Sequence, residues 1–337
     1  MTLLVATHPR FADHDAGPGH PERPARLVAV EAGIVAAGLG EAVVAVEARP
    51  APRAAITRVH PGAMVDRLER FCQEGGGAID ADTRVGPASF EAARLAAGAG
   101  LELMERLRRG EGDAGFCAVR PPGHHATAHR AMGFCLFNNV AVTAAALADA
   151  GERVAVVDYD AHHGNGTSDI FAEDPRVFYV SMHEWPLYPG TGALTDTGRG
   201  EGAGTTLNLP FPARTSGDVY RRALEEVVLP ALAAFGSTWL LVSAGFDAHR
   251  ADPLTGLALT AGDFADITAD LLAVAPAGRR LLFLEGGYDL DGLAASCGAA
   301  LAAVEGLSYR PERPSSGGPG SDVVAAAVNL RAHALEG

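Results

Sequence analysis

Asp158, Asp160, His162 and His163 follow the apolar run Val154–Val157 and precede Gly164-Asn165-Gly166. Residues two apart share a face of an extended chain, so Asp158 with Asp160, and Asp160 with His162, point the same way while the strand persists. An Asp-x-His pair joined by a distant carboxylate is a three-ligand set for a catalytic divalent metal. Two carboxylates and one neutral imidazole balance a doubly charged ion and leave a position open for water. Asp247, in AGFDAHRADP, is the distant candidate. These ligand types suit zinc, with iron(II) or cobalt as alternatives. Alone, Asp-x-His is more often a pair of loop hydrogen-bonders. Its weight comes from the polar residues that end neighbouring apolar runs.

One of those is the tandem pair His124–His125, set after Pro121-Pro122-Gly123. Adjacent side chains normally diverge, so bringing both rings to one site needs an unusual turn, which two prolines and a glycine can supply. Two histidines beside an activated water suit general base and general acid roles, and each needs a partner on its second nitrogen to set its tautomer. Asp158 and Asn165 remain for that task once the metal ligands are chosen. Tyr288 follows Gly286-Gly287, where the backbone can approach closely, and its phenol can hydrogen-bond a developing oxyanion. The plain alternatives are core histidines and a packing tyrosine.

These residues must be carried by a scaffold. Strands are predicted at Leu3–Ala6, Gly115–Val119, Val154–Val157, Val177–Val180, Thr206–Leu209, Trp239–Ser243 and Leu281–Leu284. Helical periodicity marks Ser89–Arg108, Asn139–Ala150, Val219–Ala234, Ala261–Ala275 and Asp291–Glu305. The alternation predicts a single α/β domain with a mostly parallel sheet covered on both faces, and runs such as VAVV, WLLVS and LLFL are apolar enough to be buried on both sides. Ligands of such sheets sit beyond the carboxyl ends of the strands, and four predicted strands end there in the residues above. Residues 1–308 read as the catalytic domain, 309–322 as a Pro/Gly/Ser-rich, mobile connection and 323–337 as a helical segment. Gly190–Gly204 reads as a loop, since it lacks the strand-then-helix frame of a nucleotide fingerprint.

Of the 337 residues 48% are hydrophobic and 20% charged, enough for a large core. The net charge of −14 argues against a nucleic-acid or acidic-membrane binder. The chain contains no lysine, which excludes Schiff-base and P-loop chemistry. Its four cysteines lack CxxC spacing and read as free thiols in a reducing compartment. With no transmembrane-length apolar run and no signal-type N-terminus, the expectation is a cytoplasmic protein. A homo-oligomer is compatible with everything in the sequence.

RPPGHH, GFC, DYDAHHGNGTSDIF, YPGTG, SAGFDAHRADPL and LEGGYDL, in this order, together with HPERPAR at His20–Arg26, resemble the zinc-dependent histone deacetylase superfamily over roughly residues 2–305. HHGNG and FDAHxxDPL resemble its class II branch and the bacterial deacetylases and acetylpolyamine amidohydrolases near it. The resemblance implies the arginase/deacetylase fold and hydrolysis of an acylated amine. By motif position the zinc ligands would be Asp160, His162 and Asp247, and His125 the general base, with His124 its electrostatic companion. Asp158 would pair with His124 and Asn165 with His125, and Tyr288 would polarise the substrate carbonyl. Gly133, Phe134, Tyr188 and Leu254 would border the acyl tunnel, where Tyr188 stands in place of the more usual phenylalanine. Arg26 would lie near the acetate exit. A structural potassium ion would be held by carbonyls of Asp158, Asp160 and His162 with Ser181 and Met182. His163 falls outside these roles and reads as structural.

A binuclear manganese enzyme of the arginase type shares the Asp-Ala-His motif, but the positions of its further carboxylates hold Gly164 and His249. A non-catalytic acyl-lysine reader would be expected to carry a damaged constellation. Between substrates, Leu254 stands where polyamine-selective relatives carry an acidic gatekeeper. This favours N-ε-acyl-lysine in peptides or proteins, with small acetylated amines as the alternative.

Overall fold

The computed structural model describes residues 1–336. Eight strands form the main sheet: β1 Leu3–Thr7, β2 Val43–Glu47, β3 Ala114–Cys117, β4 Val154–Asp158, β5 Val177–Glu184, β6 Thr206–Phe211, β7 Trp239–Ala244 and β8 Arg280–Leu284. Their order is β2-β1-β3-β8-β7-β4-β5-β6, and every pairing is parallel. The expected mostly parallel sheet of one α/β domain is therefore what the chain forms. Among the described residues, no helix is long and apolar enough to cross a membrane.

Burial on both faces accounts for the composition of the strands. In β4, Val154 and Val156 face one core, Ala155 and Val157 the other; in β8, Leu281 and Phe283 alternate likewise with Leu282 and Leu284. Each fully buried Val or Leu is worth on the order of 2 kcal/mol against exposure, and both faces demand it, so the sheet tolerates polar side chains chiefly at strand ends. Helices Gly62–Gln73, Ser89–Arg108 and Asn139–Asp149 cover the first face. Helices Ala25–Ala36, Ala261–Leu271, Leu290–Val304 and Ser321–Glu336 cover the second.

Three features depart from the sequence reading. Strand β2 and helices Ala25–Ala36 and Gly62–Gln73 were not anticipated; β2 is an edge strand with exposed Val44 and Ala45, so its short Ala/Val run carries no clear period. The helix expected over 219–234 is interrupted by a π turn at Leu224–Val228. Pro230, just beyond, brings no N–H to the ladder, and a local change of hydrogen-bond register accommodates it. Residues 309–322, expected as a mobile connection, instead lie along the body as a strap. Glu312 accepts from Ala261 N at 2.9 Å, Ser315 N donates to Asp263, and Gly318 N donates to Ser216 Oγ at 2.7 Å. The following helix begins at Ser321 and buries Val324 and Ala327. The last residue of the expected segment 323–337 lies outside the described residues.

Buried histidines make the fold sensitive to acid. Asn138 N donates to His60 Nε2 at 2.9 Å, while Nδ1 lies 3.1 Å from Thr127 O, so the ring is neutral with its proton on Nδ1. Burial lowers its pKa from 6.5 to about 4, and burial does the same to His14 and His183. A histidine kept neutral in the fold is protonated first in the unfolded chain. The fold therefore loses stability as pH falls from 6.5 toward 4, at up to about 1.4 kcal/mol per pH unit for each group. Urea unfolding at pH 7.5 and pH 5 should show the loss, and His60→Gln should reduce, without abolishing, the difference between the two pH values.

Candidate active site

The four central strands, β3, β8, β7 and β4, lie side by side, and each delivers polar residues past its carboxyl end. Strand β3 leads through Arg120-Pro121-Pro122-Gly123 to His124 and His125, and β4 ends at Asp158 and continues to Asp160 and His162. Strand β7 leads to Asp247 and β8 to Glu285 and Tyr288. Residues scattered over about half the chain thereby meet at one edge.

Asp160, His162 and Asp247 form the one group of potential metal ligands found among the described residues, their ligand atoms within 4.8 Å of one another. Nδ1 is the nitrogen of His162 that faces the carboxylates, 2.9 Å from Asp247 Oδ2 and 3.3 Å from Asp160 Oδ1. Backbone amides fix the carboxylates: Gly286 N donates to Asp160 Oδ2 at 2.7 Å, and Ala161 N to Asp247 Oδ1 at 2.8 Å. Glycine is required at 245 and 286, because a Cβ there would overlap the Asp160 or Asp247 carboxylates. Burial and the charge of Asp160 raise the pKa of Asp247. Burial opposes protonation of His162, but its hydrogen bonds to Asp160 and Asp247 outweigh it and raise its pKa. Both shifts point to more negative charge than the cluster balances by itself, which fits a divalent cation.

The histidine pair stands beside this cluster with ring centroids 4.1 Å apart. His124 Nδ1 lies 2.9 Å from Asp158 Oδ2 and His125 Nδ1 lies 2.8 Å from Asn165 Oδ1. Each Nδ1–H donates to its oxygen partner, leaving Nε2 for chemistry. The different backing separates the two rings electrically. Burial resists charge on His124, yet the carboxylates of Asp158, Asp160 and Glu285 raise its pKa well above the ordinary value. Burial, with the charges of His124 and His162, pushes His125 well below it.

Tyr288 is held by its backbone, its N–H donating to Asp252 Oδ2 at 2.7 Å. Burial raises its pKa well above 10, so the phenol keeps its proton. Its ring meets Phe134 edge-on at 5.8 Å, and the Tyr188 ring stands edge-on to His125 at 5.2 Å. Gly133, which precedes Phe134, lies against His125, with no room for a Cβ. Tyr188 and Leu254 are each 37% exposed, at the outer side of the site. Arg26 is fully buried, its guanidinium bonded to the carbonyls of Glu285 and Gly287 and to Glu22. Asp158 and Ser181 are register partners on β4 and β5, and Tyr220 OH donates to Met182 O at 3.1 Å. His163 Nδ1 pairs with Thr191 Oγ1 at 2.8 Å.

Three supporting residues fall outside the candidates named from the sequence. Glu285 accepts from Gly123 N at 2.7 Å, His124 N at 3.1 Å and Ser243 Oγ at 3.2 Å, so one carboxylate ties the ends of β3, β7 and β8 together. Burial pushes its pKa up to about 7. Asp252 holds the Tyr288 amide, and Tyr179 OH donates to Asp158 Oδ2 at 3.0 Å. Glu285 and Asp252 sat in plain view inside LEGGY and RADPL. Tyr179 sits within a buried strand and carried no signal.

The histone deacetylase domain family matches residues 20–304. The chain belongs to the histone deacetylase family. A protein of Archaeoglobus fulgidus described as a probable deacetylase is 37% identical over 328 residues, covering 93% of this chain and 91% of its own length. The histone deacetylase-like amidohydrolase of Pseudomonas aeruginosa is 37% identical over 299 residues, 87% of this chain and 78% of its own. Among solved structures, the crystal structure of the HDA15 HD domain matches with a TM-score of 0.90 and 36% identity, covering 98% of this chain and 94% of that one. Membership in this family of deacetylases and amidohydrolases makes the chain a hydrolase of the deacetylase type, and the family fold is the one described above.

Proposed function

We propose that the chain is a zinc-dependent amidohydrolase that removes acetyl or other short acyl groups from acylated amines, N-ε-acyl-lysine in peptides or proteins above all. One observation carries this reading: the Asp160–His162–Asp247 cluster, the differently backed His124–His125 pair and Tyr288 converge at one sheet edge. A zinc ion held by Asp160, His162 and Asp247 would supply Lewis-acid activation of the attacking water and of the acyl carbonyl; iron(II) or cobalt suits the same donors.

The protein's own groups account for the proton traffic. His125, neutral and oriented by Asn165, takes the proton of the attacking water on Nε2. It returns that proton to the amine nitrogen as the C–N bond breaks, giving a carboxylic acid and a free amine. His124, held charged by Asp158, stabilises the negative charge that builds up on the substrate. Tyr288, kept protonated by burial, donates to the carbonyl oxygen as that charge develops. Phe134 and Tyr188 flank the approach, with Gly133 admitting His125 closely and Leu254 at the rim. Arg26, tied to the backbone that leads to Tyr288, would border the acetate exit. A potassium ion would use carbonyls of Asp158, Asp160 and His162 with Ser181 and Met182. It would fix the end of β4 without entering the chemistry.

Small acetylated amines remain the second reading, because the charges of Asp80 and Asp82 act on Tyr188 and could serve a cationic tail. A non-catalytic acyl-lysine reader is disfavoured by the completeness of the constellation. Turnover of acetyl-lysine peptides, longer acyl-lysines and acetylpolyamines by the zinc-loaded protein, measured side by side, tests all three. Acyl-lysine peptides are expected to have the highest kcat/KM. Acetylpolyamines ahead by orders of magnitude would overturn the reading of Leu254, and binding without turnover would favour the reader.

A further inference from the structure

One loop, Phe246–Leu259, does three things for the site. It carries Asp247, its Asp252 holds the Tyr288 amide, and Leu254 sits at the rim. Inside, the loop is braced by its own bonds: Thr255 Oγ1 donates to Asp247 O at 2.5 Å, Leu259 N to Ala248 O at 3.1 Å and Arg250 N to Leu259 O at 2.8 Å. Its outer side rests on the strap. His249 Nε2 lies 2.7 Å from Glu312 Oε2, and Arg250 donates to Glu312 Oε1 at 2.5 Å. The same Oε2 also accepts from Ala261 N at 2.9 Å, at the start of the helix that follows the loop.

We propose that the strap, through Glu312, is a positioning element of the metal-binding loop rather than a tail that only closes the fold. The proposal rests on reading Asp160, His162 and Asp247 as metal ligands. Glu312 lies beyond residues 20–304, the part matched by the family domain. His249 is 6% exposed. Without the carboxylate, its Nε2 and the Ala261 amide would lose their partner, and the loop would shift to satisfy them. Asp247, two residues from His249, would shift with it. Contact between strap and body is close: a Cβ at Gly262 would overlap the backbone of Glu312 and Pro314. Two other anchors of the strap, Arg310 to Asp266 at 2.5 Å and Ser315 to Asp263, bind the helix Ala261–Leu271 and not the loop. They provide an internal control.

The test compares full-length wild type, Glu312→Ala, Glu312→Gln and Arg310→Ala. Zinc affinity is read by competition with a chromophoric chelator, ligand geometry by the visible spectrum of the cobalt(II)-loaded protein, and stability by urea unfolding of the metal-free protein. Glu312→Ala is expected to weaken zinc binding about tenfold to a hundredfold, the range typical when groups behind metal ligands are removed, and to alter the cobalt spectrum. Glu312→Gln, which keeps one carbonyl acceptor and the side-chain volume, should fall between it and wild type. Arg310→Ala should lower stability while zinc affinity and spectrum stay as in wild type. Wild-type zinc affinity in Glu312→Ala overturns the proposal, as does an equal loss of affinity in Arg310→Ala. If the alanine variant does not fold, Glu312→Gln against Arg310→Ala decides in the same way. The comparison needs no substrate, so a wild-type protein that binds zinc but hydrolyses no acylated amine would sink the functional reading while leaving this one standing.

Discussion

His125→Ala is expected to keep its metal and to lose nearly all turnover, with kcat down by about 10² to 10⁴, the usual contribution of a positioned general base. Geometry separates the two outcomes. The Asp160 and Asp247 carboxylates are fixed by the amides of Gly286 and Ala161, and His162 by Asp160 and Asp247, none of which depends on His125. His125 answers to a different partner, Asn165, at 2.8 Å. It is also the imidazole of the pair that burial holds neutral, and so the one able to accept a proton. Metal content by elemental analysis, beside initial rates on an acetyl-lysine peptide, checks both halves. Turnover within about tenfold of wild type would show that another group is the base, since a positioned base contributes at least about 10².

Asp247→Asn should abolish both metal binding and activity, yet leave a metal-free protein at least as stable as the metal-free wild type. Asp247 and Asp160 are buried carboxylates that meet on His162 Nδ1. Without a cation their like charges repel; the amide removes one charge and keeps an oxygen for the Ala161 amide. Wild type should gain about 2.7 kcal/mol when zinc is present at about a hundred times its Kd, because only the folded state binds it. The variant should gain nothing. Unfolding curves with and without zinc for the two proteins make the comparison. A zinc-dependent gain in the variant equal to that of wild type would remove Asp247 from the ligand set.

What was readable from the sequence divides along physical lines. Strands buried on both faces need nearly unbroken apolar runs, so β4, β7 and β8 stood out, as did Ser89–Arg108, whose bounds the structure repeats. The edge strand β2 carries no such demand and escaped notice. In the site, Asp158, Asp160 and His162 could be grouped because strand spacing relates them, and the parallel topology implied that His124, His125, Asp247 and Tyr288 would join them. Glu285 and Asp252 stood beside recognised residues, but their work is done on backbone amides of Gly123, His124 and Tyr288. No residue type advertises such a partner. The strap misled for the opposite reason. Pro, Gly and Ser mark irregular backbone, and irregular backbone is not mobile when its amides and side chains find partners in the body, as those of Ser315 and Gly318 do.

The place of β8 in the sheet bears on how the site comes into existence. It is the last strand in the chain, yet it lies between β3 and β7. Until it is made, the strands fall into two separate sheets, β2-β1-β3 and β7-β4-β5-β6, each with an open edge at the missing seam. His124 and His125 belong to the first and Asp160, His162 and Asp247 to the second. Insertion of Arg280–Leu284 closes the seam and brings Glu285 and Tyr288 at the same moment. A chain still growing on the ribosome therefore has no partial activity to lose. Without β8 the two seam edges stay unpaired, a hazard for association with other chains, and the pairing of β8 with β3 is a long-range contact of the kind that slows folding.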